Sequence, residues 1–331
     1  MSSPPPAKRL PMPSVQYTQL FINGRFVDSR LGRTFPSFNP FTGQQVATVQ
    51  EAGQEDVDAA VKAARAAFEV WRAMDASQRG RILYKLGDLV EQNLETIAGL
   101  DSLENGIPIN ESLHTVGAAA AILRFYGGLA DKIKGETIPS DGNFLTITLK
   151  EPMGIAAIII PWNSPTLMAA KTVGPALAAG NAVLLKPAEQ TSLSALFIAH
   201  LSTLLPELPP GVLNVLPGDG RTGAMLSAHA SIDKITFTGS TEVGQSILAA
   251  SARSNLKRVT LELGGKSPLV VFEDADVEQA ARLAFAALFV SNGQVCCCGS
   301  RTYVHASIYE QFVEETRKLA LARVVGDPFS T

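Results

Sequence analysis

Cysteine is scarce and confined to one place. The 331-residue chain has three, side by side at Cys296-Cys297-Cys298. Neighbouring thiols cannot staple distant segments, so a secreted disulfide framework is excluded and a reducing compartment, the cytoplasm, is expected. Histidine is nearly as rare, and His114, His200, His229 and His305 form no motif. With no histidine at ligand spacing and cysteines pointing in different directions, no metal site is expected, and a Cys–His protease is poorly supported. Net charge is only -3, with 18% charged residues, which leaves no electrostatic footprint for nucleic acid or an acidic membrane. The most apolar window, 153–170, contains Pro161, Asn163 and Pro165. A membrane helix would break there, so a buried strand, a turn and a helix start are expected instead. Ser2-Ser3-Pro4-Pro5-Pro6 has no apolar stretch of the signal-peptide kind, and residues 1–18 read as a disordered tail.

Local signals organise what is present. Asn23-Gly24, between Leu20-Phe21-Ile22 and Arg25-Phe26-Val27, predicts a type I′ hairpin. Val57, Val61, Ala64, Phe68 and Trp71 recur at helical spacing. A second helix is expected over 77–103, ended by Asn105-Gly106, and a third over 111–126. These helices read as scaffold without chemistry. Within 134–152, Asp141-Gly142 separates two extended segments, and the second, 144–149, alternates like a strand with one wet face. Such a ribbon is marginal alone and needs another surface, such as another subunit. From Gly154 onward strands and helices alternate, beginning with the continuous apolar run 155–160. The fold class is therefore α/β with a doubly wound, Rossmann-like sheet, whose ligands sit beyond the carboxyl ends of the strands.

Those ends carry the candidate chemistry, and each residue has a plainer alternative. Gly239-Ser-Thr-Glu-Val-Gly244 follows a strand and opens a helix, where free amides bind phosphate. Position 245 is Gln, so the segment is no P-loop, and Ser240 and Thr241 could simply cap the helix. Lys186 and Glu189 leave one strand end together; they could hold a ribose and favour NAD over NADP, or form a minor ion pair. Glu262, at the end of a strand leading into Gly264-Gly265, could be a general base, or a solvated edge paired with Lys266. Asn163 could stabilise an oxyanion, or make an Asx turn before Pro165. The cysteines could be small buried residues or lipidation sites, or one could be a reactive thiolate.

Taken together, Pro161-Trp-Asn-Ser-Pro165, Leu185-Lys-Pro-Ala-Glu189, Phe237-Thr-Gly-Ser-Thr-Glu-Val-Gly244, Leu261-Glu-Leu-Gly-Gly-Lys-Ser-Pro268 and Asn292-Gly-Gln-Val-Cys296 resemble the NAD(P)-dependent aldehyde dehydrogenase family, of the hydrolytic Cys/Glu type. The resemblance implies that Cys296 is the nucleophile, with Cys297 and Cys298 flanking it, that Asn163 holds the oxyanion, and that Glu262 activates water. It implies cofactor contacts at Pro161, Trp162, Lys186, Glu189, Gly239, Ser240 and Gly264, and NAD rather than NADP. The implied reaction is oxidation of a small aldehyde to a carboxylic acid through a thiohemiacetal and a thioester. The implied layout is a cofactor domain over 19–133 and 153–264, an oligomerisation ribbon over 134–152 serving a homo-oligomer, and the first part of a catalytic domain over 265–331. Three departures accompany it. Ser164 replaces a common Phe, and Asp219 stands in a shortened turn. No Glu-x-Phe-Gly-Pro segment is present, nor a strand to partner the ribbon, so a C-terminally truncated member is expected. The alternative function is a non-catalytic, NAD-binding or structural fragment.

Overall fold

A computed structural model describes residues 11–330. The expected tail therefore lies outside the described residues over its first ten positions. Over 11–18 there is no helix or strand, yet Val15 and Tyr17 pack against the main core. Tyr17 also stacks on Phe26 with ring centroids 4.6 Å apart, so this stretch is held against the body.

The hairpin forms as expected. β1 (Leu20–Ile22) and β2 (Arg25–Val27) pair antiparallel, with Asn23 and Gly24 at φ 54° and 74°. Positive φ at both central residues is what a type I′ turn requires. A second antiparallel pair, β3 (Thr34–Phe38) and β4 (Gln45–Gln50), follows. Four helices come next: α1 (Gln54–Ala73), α2 (Ala76–Gln92), α3 (Leu94–Asn105) and α4 (Ile109–Leu129). The single helix expected over 77–103 is thus two. At Asn93 the backbone leaves helical geometry (φ -108°, ψ 22°), and the side-chain amide donates to the Leu89 carbonyl at 2.8 Å. That local bond satisfies an acceptor at the helix end, a competition typical of asparagine.

The ribbon is shorter than its alternation predicts. β5 (Thr137–Ile138) and β6 (Thr146–Ile147) pair antiparallel over two residues each. Phe144 and Leu145 are both 80% exposed, so neither face of the segment is buried. A two-stranded ribbon standing clear of the body has nothing to pack on, and most of its length does not pair.

The main sheet begins with β7 (Ile155–Ile159), followed by α5 (Pro165–Ala178), β8 (Ala182–Lys186), α6 (Leu193–Thr203), β9 (Leu213–Val215), α7 (Gly220–Ala228), β10 (Lys234–Gly239), α8 (Thr241–Arg253) and β11 (Arg258–Leu263). Seven strands run in the order β11-β10-β7-β8-β9-β1-β2, the first five parallel. Successive side chains of a strand face opposite sides. Ile158, Val183 and Leu185 therefore join a core with α2 to α6, while Ile155, Ala157 and Leu184 join another with α1, α7 and α8. Helices cover both faces, as a doubly wound sheet requires. Chain order reverses at β7: β8 and β9 step one way, β10 and β11 the other. The reversal opens a crevice at the carboxyl ends of the strands. No helix among the described residues is long and apolar enough to cross a membrane.

A smaller α/β body completes the chain: β12 (Pro268–Val271), α9 (Val277–Phe289), β13 (Arg301–Val304) and α10 (Tyr309–Ala322). β12 and β13 pair in parallel over a core that includes Val271, Ala281, Ala284 and Phe312. The chain then returns to the larger body, where Phe329 is fully buried and the Ile109 N–H donates to the Pro328 carbonyl at 2.8 Å.

Two carboxyls on α3 are buried at the joint between helices. Glu104 accepts from Ser37 Oγ at 2.8 Å and from the Ser192 and Leu193 amides at 3.2 and 2.8 Å, which caps the start of α6. Asp101 accepts from Thr166 Oγ1 at 3.0 Å. Burial pushes Glu104 up to about 8 and Asp101 up to about 7, against the opposing pull of these donors. Raised values mean that the folded chain keeps protons the unfolded chain has released. The associated stabilisation is complete below the ordinary carboxylate range and fades as pH rises through 7 to 8. The urea midpoint is accordingly expected to fall between about pH 5 and about pH 9, and Glu104→Gln, which cannot ionise, to flatten that fall. A midpoint that rises over this interval, or the same slope in the variant, contradicts the assignment.

Candidate active site

Each parallel strand delivers its functional residues by ending where it does. β7 runs out through Ile160 into Pro161-Trp162-Asn163, and Pro165 then opens α5 at a position where its missing N–H costs nothing. β8 ends at Lys186, whose side chain is almost wholly buried. Its ammonium donates to the Pro187 and Gly218 carbonyls at 2.7 and 2.5 Å and stands 4.0 Å from the Glu189 carboxylate. Burial pulls Lys186 down to about 8, while the Glu189 and Asp219 charges pull it back up. β10 ends at Gly239, and Ser240 caps α8, its hydroxyl accepting from the Val243 N–H at 3.4 Å.

These ends meet in one cleft of about 520 Å³, between α7, α8 and the strand termini. Pro161, Trp162, Lys186, Glu189, Gly239 and Ser240 all line it. Gly264 is not among the lining residues; it lies past β11, with nothing within 4 Å of the place a Cβ would take. The cleft has what a dinucleotide would need: an apolar wall from Ile159, Val243 and Ile247, a buried cation, and the N-terminal amides of α8. Asp219 caps α7, accepting from the Arg221 N–H at 2.8 Å, and with Glu51 it holds the Arg221 guanidinium at the rim.

The cysteines lie on the loop between α9 and β13. Cys296 and Cys297 are exposed; Cys298 is buried, its thiol 3.7 Å from the Gly293 carbonyl. Sheet register sets what faces this loop. Pro268 pairs with Arg301, so the loop entering β13 runs beside the segment joining β11 to β12. Arg301 Nε donates to the Lys266 carbonyl at 2.6 Å, and a Cβ built on Gly265 would lie 3.5 Å from the Cys296 carbonyl oxygen. From the other side, Asn163 Nδ2 donates to the Gln294 carbonyl at 2.7 Å. Its amide thus reaches across 131 residues rather than closing a local turn. Glu262 is exposed at the end of β11, beside Thr238, and among the described residues it forms no ion pair with Lys266.

Three contributors escape a reading of the sequence. Asn105 Nδ2 donates to the Asn163 carbonyl at 3.5 Å, Glu111 Oε2 accepts from the Ser291 N–H at 2.7 Å, and Arg323 donates to Asn292 Oδ1 at 2.9 Å. No pattern in the chain marks them, because each partner is remote in sequence.

A comparison with protein families matches residues 26–331 to the aldehyde dehydrogenase family. The chain belongs to that family. Among curated aldehyde dehydrogenases, it is 53% identical to aldehyde dehydrogenase family 2 member B4, mitochondrial, of Arabidopsis thaliana, over 98% of this chain and 61% of the relative. It is 51% identical to human retinal dehydrogenase 2, over 97% of this chain and 63% of that protein. The structure of the NAD+ complex of an aldehyde dehydrogenase from Bacillus cereus superposes with a TM-score of 0.94 at 42% identity, over 98% of this chain and 67% of that one. This member thus spans less than two thirds of the length of the two curated relatives.

Exposure orders the thiols of this aldehyde dehydrogenase family member. Iodoacetamide on the native protein is expected to modify Cys296 and Cys297 ahead of Cys298, as mapped by peptide mass spectrometry. Modification of Cys298 first would show that the loop is folded differently.

Proposed function

We propose that the protein oxidises an aldehyde to a carboxylic acid with NAD, through Cys296. The observation that carries this reading is the Asn163–Gln294 hydrogen bond, which brings a side-chain amide to the loop bearing the exposed Cys296. The Cys296 thiolate adds to the aldehyde carbon, forming a C–S bond and an oxyanion. Asn163 has a second N–H left to meet that oxyanion. NAD held in the cleft would supply the hydride acceptor for that carbon. The product on the chain is a thioester at Cys296. Glu262 takes a proton from water, the hydroxide attacks the thioester carbon, and the C–S bond breaks to give the acid and the thiolate.

Lys186, Glu189 and Ser240 hold the cofactor, with Pro161, Trp162 and Gly239 around it and Gly264 beyond the cleft, past the end of β11. Glu189 selects a free ribose hydroxyl over a phosphate. The cofactor domain covers 19–133 and 153–264, and 265–331 belongs to the catalytic domain. The ribbon over 134–152, with its exposed Phe144 and Leu145, serves a homo-oligomer. Three free thiols support a cytoplasmic setting.

Stopped-flow absorbance of reduced nicotinamide with an aldehyde tests the chemistry. Cys296→Ala should lose turnover by about four orders of magnitude or more, whereas Glu262→Gln should keep one stoichiometric burst and lose the steady state. Undiminished turnover in either variant overturns the assigned roles, and NAD binding with no burst in the unmodified protein overturns the proposed activity. Cofactor choice has its own test. Glu189→Gln should tighten NADP binding relative to NAD by about tenfold in a fluorescence titration, by removing a like charge. An unchanged ratio removes Glu189 as the discriminator.

A further inference from the structure

The loop that carries Cys296 begins with unfavourable backbone. Ser291 and Asn292 have φ of 47° and 57°, and Gly293 follows at 79°. Two of these three left-handed residues are not glycine, and each carries a steric cost that a right-handed turn would avoid. Such a conformation persists only where its surroundings over-determine it.

Three contacts do so. Asn163 holds the Gln294 carbonyl. Arg323 holds Asn292 Oδ1 and the Phe289 carbonyl, with its guanidinium 5.4 Å from the Phe289 ring centre. Glu111, in the first turn of α4, accepts from the Ser291 N–H at 2.7 Å, and Ser291 is only 5% exposed. Arg323 belongs to the same small body as the loop, so it cannot set the loop's place against the cleft. Asn163 is already assigned to the chemistry. Glu111 is anchored in the larger body and makes a charge-assisted bond to the first strained residue.

We infer that Glu111 is a positioning residue, which pins the left-handed turn at Ser291 and so sets where Cys296 stands relative to Asn163. The corner between α3 and α4 supports both sides of this arrangement. Asn105, at its start, donates to the Asn163 carbonyl at 3.5 Å, and Glu111, at its end, takes the Ser291 amide. Ile109 between them donates to Pro328, which fastens the returning chain at the same corner. The catalytic meaning of this clamp rests on the proposed role of Cys296, but the clamp itself is a backbone restraint that can be measured without turnover.

Two substitutions in the full chain separate the cases. Glu111→Gln keeps an acceptor oxygen, and Glu111→Leu keeps the bulk without one. Amide hydrogen exchange over 289–299 and the ratio of iodoacetamide labelling at Cys296 to that at Cys297 are read in each, with the urea midpoint as a check on global folding. Glu111→Leu is expected to speed exchange of the Ser291 segment by roughly tenfold and to shift the labelling ratio, and Glu111→Gln to restore both towards the unmodified protein. Where turnover is measurable, kcat should fall in Glu111→Leu with KM little changed. The inference is overturned if the two variants behave alike, or if Glu111→Leu lowers the urea midpoint but leaves the loop's exchange and labelling ratio unchanged. Failure of aldehyde oxidation in the unmodified protein would sink the proposed function and leave the clamp standing.

Discussion

The hydrogen bond from Asn163 Nδ2 to the Gln294 carbonyl joins two parts of the chain that fold around separate cores. One end hangs from the central strand β7, the other from the loop between α9 and β13. The doubly wound sheet presents a cofactor cleft and the small body presents thiols, and this link, with the Glu111–Ser291 bond beside it, brings the two together. With it, the carboxyl end of a fully buried strand and the cysteine loop share one location. The register of β12 with β13 adds the third side, because it lays the segment after Glu262 alongside the same loop.

Rigidity upstream makes that link useful. β7 and β8 are buried along their whole length and sit between two apolar cores, so their ends cannot wander. Lys186 illustrates the consequence. A buried ammonium is costly unless its donors are satisfied, and here two carbonyls accept from it while Glu189 and Asp219 supply opposing charge nearby. The same logic governs α3, where Asp101 and Glu104 are tolerated in the interior because hydroxyls and the first amides of α6 surround them. Buried polar groups here serve as joints between elements, and the site is assembled from elements that those joints hold.

Much of this was legible in the chain because it is local. The continuous apolar run of β7, the Asn23-Gly24 turn and the alternation that places Thr260 and Glu262 on one face of β11 each depend on near neighbours and appear as expected. Where a distant or absent partner decides, local pattern fails. The alternation over 144–149 promises a strand, but pairing needs a surface that a two-residue partner does not supply. At the Asn93 break the Leu89 carbonyl accepts from both the backbone N–H and the side-chain amide of Asn93, a local arrangement no periodicity reveals. Glu111 reads as an ordinary first-turn acid; its significance comes from Ser291, 180 residues away. The α3–α4 corner, passed over in the sequence as scaffold, turns out to hold both halves of the site.

The central claim is that Cys296, rather than either neighbouring thiol, is the atom on which aldehyde and chain become joined. Rapid acid quench of the protein mixed with an aldehyde and NAD, followed by peptide mass spectrometry of residues 290–301, tests this directly. The account predicts an acyl group on Cys296 and none on Cys297 or Cys298. An acyl group on either neighbour, or reduced nicotinamide formed with no acylated cysteine at any quench time, would contradict it.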